Sequence, residues 1–151
     1  MTVDEAKLRL SFHSGRNSDT EDPRWKNGFL GLLRPYRGNP PENCFHDIVA
    51  CLRTLADEIR DAEFLEKSLV ADVTNITHFG RAWAVYEGGM LRRNNLITES
   101  DWKTIELWVD CISYAFACLT DGADDETAFA DYAELSSNEA LRETLNHISR
   151  R

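Results

Sequence analysis

The chain has 151 residues, 42% of them hydrophobic and 10% aromatic, and a formal net charge of −9 from 26 acidic and 17 basic side chains. That size and composition fit one globular domain with a sizeable core, and the acidity disfavours nucleic-acid backbones and anionic lipid while favouring a basic protein partner. No apolar run approaches the roughly 20 residues of a membrane span, and the start, MTVDEAKLRL, has acids where a secretory signal is basic, so a cytoplasmic location is expected.

At the N-terminus Leu8, Leu10 and Phe12 alternate in KLRLSFH, a period-two pattern that predicts a short extended arm. A polar loop follows in SGRNSDTED, so residues 1–21 read as arm and loop and 22–151 as a helical bundle. Asp22-Pro23 reads as an N-cap followed by a first-turn proline. Trp25, Phe29, Leu32 and Leu33 extend that helix until Pro35 stops it. After Pro40-Pro41, Phe45, Ile48, Leu52, Leu55 and Ile59 recur at steps of three and four, with Val49 and Ala56 widening the stripe.

A further helix is predicted from about Leu65, with Leu69, Val70, Val73, Ile76, Gly80 and Trp83 on one face. HFGRAWAVYEGGMLRRNNLITESD then reads as a corner between helices. Gly88-Gly89 supplies left-handed or close-approach backbone, Thr98 and Asp101 form a capping-box variant, and Met90, Leu91, Leu96 and Ile97 tuck under the bundle. Trp102, Ile105, Val109, Ile112, Phe116 and Leu119 make one apolar stripe, and Trp108, Cys111, Ala115 and Cys118 a second beside it. A helix that apolar is expected near the centre. Gly122 is a predicted C-terminal cap. A short helix carries Phe129 and Tyr132, and Ser136 with Glu139 predicts a capping box opening a last helix with Leu141, Leu145 and Ile148 inward. The fold class is therefore all-α, a single-domain bundle of five or six helices.

Cys44, Cys51, Cys111 and Cys118 fall in two pairs seven residues apart, without a CxxC. On a helix that spacing separates two thiols by about 10.5 Å along the axis. Four such thiols do not converge on one metal, and they read as core side chains.

His46-Asp47 resembles the His-Asp pair of the all-α HD phosphohydrolases. That resemblance implies a divalent metal held with a further upstream histidine and a downstream aspartate. The upstream histidine here is His13, and the downstream residue is Asp72, Asp101 or Asp110. Glu58, Asp61, Glu63 and Glu66 read as a solvated turn, and Asp121, Asp124, Asp125 and Glu126 lack the spacing of a calcium loop. No phosphate-binding loop, dinucleotide fingerprint, nucleophile elbow or HExxH is present. No catalytic residue, metal ligand or cofactor is thus expected.

What remains is a charged surface. Asp121, Asp124, Asp125, Glu126, Asp131, Glu134 and Glu139 lie in a stretch without Lys or Arg, with Phe129 or Tyr132 as an aromatic anchor. A second acidic patch runs from Asp57 to Glu66, and Arg92 and Arg93 are candidate contacts at the corner. In size, acidity and lack of catalytic motif the chain resembles bacterial toxin-immunity proteins. The resemblance implies an inhibitor that covers the active or substrate site of a basic toxin. The sequence leaves the oligomeric state open. Its alternatives are the HD-type hydrolase and a homo-oligomeric adaptor in which Arg92-Arg93 meets an acidic patch of another copy.

Overall fold

The computed structural model describes residues 1–149, apart from the side chains of Leu141, Thr144 and Leu145. Two predicted inward positions, Leu141 and Leu145, thus lie outside the described side chains. Among the described residues the fold is all-α: α1 Val3–His13, α2 Pro23–Lys26, α3 Glu42–Asp61, α4 Lys67–Gly80, a π-helical turn Arg81–Val85, α5 Met90–Arg93, α6 Glu99–Thr120, α7 Asp125–Ala128 and α8 Ala130–Ser149.

The predicted extended arm is a helix. Thr2 caps it by accepting a hydrogen bond from the Glu5 amide at 3.1 Å. Its inner face is Ala6, Leu10 and His13, whereas Leu8 is exposed. Leu10 and Phe12 are both buried because different neighbours cover them: α1 packs on α3 and α4, and the Arg24 guanidinium of α2 lies 4.5 Å over the Phe12 ring. Two-sided covering therefore imitated a strand period.

Asp22 caps α2 as predicted, accepting from the Arg24 amide. The helix ends at Lys26 rather than near Pro35, because the chain turns to bond the end of α1. The Phe29 amide donates to His13 Nδ1 at 3.2 Å and the Leu30 amide to the His13 carbonyl at 3.1 Å. Phe29 and Leu33 still reach the core fully buried.

α3 carries the widest buried stripe, from Cys44 to Ile59, and packs against α1 and α6; α4 also packs on α1 and α6. Full burial of each large aliphatic side chain there contributes roughly 1.5–3 kcal/mol. α6 is central as expected. Thr98 caps it by accepting from the Asp101 amide, and Ile105, Trp108, Val109, Cys111, Ile112, Ala115 and Leu119 are buried. Gly122 (φ 87°) closes it, its amide bonding the Leu119 carbonyl while the Ala123 amide bonds that of Cys118. That is the two-bond Schellman arrangement, which places a glycine in the left-handed region.

The corner after α4 follows expectation except at Leu96. Gly89 is needed for close approach, since a Cβ there would stand 2.4 Å from the Ala82 carbonyl oxygen. Leu91 is buried, and Met90 and Ile97 pack partly against the core, but Leu96 is exposed. Finally, Ser136 does not start a helix: α8 runs through it from Ala130. Tyr132 and Leu135 dock the first turns of α8 against the core. Once helix is nucleated there, the small propensity cost of serine does not interrupt it.

Candidate functional site

α6 has a third apolar row outside its two core stripes. Leu107 and Tyr114, seven residues apart and so on one side of the helix, are 55% and 42% exposed. α8 passes alongside, and between them lies an open groove of about 530 Å³. Its floor is apolar: Leu107, Trp108 and Cys111 from α6 and Leu135 from α8. Its rim is acidic, with Asp110, Asp131, Glu134 and Glu139 against Arg142. Asp110 already pairs with Arg81 at 2.7 Å, which leaves Asp131, Glu134 and Glu139 as carboxylates without a described ion pair.

The predicted contact residues divide between this groove and the scaffold. Asp131 and Glu134 line it, and Asp121 and Glu126 are exposed on the neighbouring α6–α8 connection. Asp124 instead caps α7, where hydrogen bonds from the Thr127 backbone and side chain hold its carboxyl below the usual aspartate range. Asp125 forms an ion pair with Arg60, which also donates to the Ala123 carbonyl at 2.7 Å, stapling the end of α3 to this connection. Phe129 is buried and cannot serve as an anchor. Tyr132 is half-buried, its hydroxyl 2.9 Å from His46 Nδ1 and its ring 5.7 Å from that of Phe45, so it ties α8 to α3.

Arg92 is also structural. Its guanidinium lies 4.0 Å over the Trp102 ring and donates to the Val85 carbonyl at 2.7 Å, closing the corner onto α6. Arg93 is exposed, and neither arginine lines the groove. Sequence reasoning missed Leu107, Leu135, Asn138 and Arg142. The available signal was the Leu107–Tyr114 repeat.

The HD-type ligand set does not assemble. Neighbouring residues on a helix point about 100° apart, so His46 turns to Tyr132 while Asp47 turns to α1. There Asp47 bonds Arg9 and His13, each at 2.8 Å. Because His13 Nδ1 accepts from Phe29, its Nε2 carries the proton donated to Asp47, and both ring nitrogens are occupied. The downstream candidates are engaged as well. Asp72 is buried and accepts from Ser14 and Arg16, Asp101 accepts from the Tyr36 hydroxyl, and Asp110 pairs with Arg81.

A different group can offer ligands to a divalent cation. The ligand atoms of Glu42, His46 and Glu139 lie within 4.8 Å of one another. Tyr132 on His46 Nδ1 leaves Nε2 directed at Glu42, 3.7 Å away.

The chain matches no protein-family model, no curated protein and no solved structure. The four cysteines are free, and burial pushes the thiols of Cys44, Cys51 and Cys111 up to about 11, 12 and 12, which makes them core side chains rather than nucleophiles or ligands.

Proposed function

We propose that the protein is a protein-binding inhibitor of the immunity kind, and that the α6–α8 groove receives a basic, amphipathic segment of its partner. The observation that carries this reading is an acidic rim over an apolar floor: Asp131, Glu134 and Glu139 stand around Leu107, Trp108 and Leu135. An apolar floor supplies desolvated contact area, while the carboxylates speed encounter with a cationic surface and penalise an acidic one. The rim belongs to an acidic chain, net −9, so its field extends beyond the groove itself. A toxin held there would be blocked by occlusion of its active or substrate-binding surface.

The test is a pull-down from the native host at low and at moderate salt, with wild type beside the double variant Asp131→Lys, Glu134→Lys. A basic protein retained one-to-one by wild type, weakened by salt and lost by the variant supports the reading. Equal retention by both proteins removes the groove from the interface. If wild type retains no basic protein, the inhibitor reading fails.

A further inference from the structure

A second cavity, of about 390 Å³, is built from different residues, where the end of α1 and the segment after α2 meet α4 and the π-helical turn. Trp25, Leu30, Phe79 and Trp83 supply its apolar wall; the Phe79 and Trp83 rings are 5.3 Å apart and tilted by 37°. Trp83 comes from the π-helical turn, a distortion frequently found at functional sites. The polar side chains are Arg16, Arg34 and Asn75, with Ser14, and no carboxylate lines the space. In a chain of net charge −9 that local balance has the opposite sign to the whole.

Arg16 is fixed by Asp72 at 2.8 Å and the Ser68 carbonyl at 3.1 Å, so its charge is largely matched. Arg34 has no ion pair among the described residues. Its guanidinium lies 5.5 Å from the Trp83 ring centre, which leaves its N–H groups for an occupant. The Trp25 ring stands in the same apolar wall.

We propose that this cavity binds a small aromatic carboxylate. One unmatched guanidinium suits a monoanion, where a phosphate dianion would call for more donors. Three aromatic side chains suit a flat ring, and the volume falls within the range of small-molecule pockets. The carboxylate lies on Arg34, the ring lies against Phe79 and Trp83, and Asn75, whose amide bonds no other described residue, meets a polar substituent.

The experiment is a titration of the full chain with benzoate, 3-phenylpropionate and indole-3-acetate, each beside its uncharged amide. Heat of binding and the indole N–H resonances of the tryptophans are followed. Expected are a preference of about tenfold or more for at least one acid over its amide, a shift of the Trp25 and Trp83 signals, and loss of that preference in Arg34→Gln. Arg34 is exposed, so this variant is expected to keep the wild-type circular dichroism. Equal affinity for acid and amide, a preference that survives Arg34→Gln, or no response up to about 10 mM of every acid would each overturn the proposal.

Discussion

Replacing Asp47 by alanine tests whether the His46-Asp47 pair is scaffold rather than chemistry. Two bonds are lost. The one from His13, whose side chain is 9% exposed against 29% for Asp47, is charge-assisted and nearly dry, so about 1.5–3 kcal/mol is expected. The one from Arg9, 38% exposed, is screened by water and contributes about 0.2–1 kcal/mol. Together they give a loss of roughly 2–4 kcal/mol, or about 5–15 °C in Tm for a chain of this size. The His13 hydrogen bond, opposed by partial burial and reinforced by Arg9, holds the Asp47 carboxyl below its ordinary value of 3.8. Its stabilisation is thus complete above that value and fades as pH falls through the lower, folded-state pKa. Urea midpoints of wild type and Asp47→Ala, followed by circular dichroism from pH 7 down to about pH 3, should differ most at neutral pH and converge on the acid side. A gap under about 0.5 kcal/mol at pH 7, or one of constant size across the series, would refute the reasoning.

Arg92→Ala removes both the 4.0 Å stack on Trp102 and the bond to the Val85 carbonyl. It should cost about 1–2 kcal/mol in urea unfolding without changing retention of a basic partner. Lost retention at unchanged stability would make the corner a contact instead. A thiol reagent at about pH 8 should label Cys118 quickly in the native protein and the other three only after denaturation, because burial keeps Cys44, Cys51 and Cys111 protonated. Two or more fast thiols would contradict that.

α3, α4 and α6 were legible because each carries its own instructions. α3 and α6 show unbroken apolar steps of three and four. Thr98, Asp22 and Gly122 sit where a helix end must satisfy its own backbone. These are local facts, decided within a few residues of chain. α1 shows the limit. Its Thr2 cap was there to read, but Leu8, Leu10 and Phe12 suggested a strand because burial of Phe12 depends on Arg24 and α2, distant in the pattern. The segment after α2 likewise abandons helix for hydrogen bonds to the end of α1.

The candidate site divides along the same line. Acidity, and with it the preference for a basic partner, is a property of composition. Which acids are free is not. Asp125 is taken by Arg60 and Tyr132 by His46, from helices far away in the chain, while Asp131 and Glu134 become a rim only because α8 lies along α6. The sequence alone determined helix, core and charge, since periodicity, capping and composition act over short range or by summation. Only the tertiary structure decided which charges are spent on the fold and where the α6–α8 groove and the cavity beside Trp83 open, because both depend on contacts between segments that no local pattern encodes.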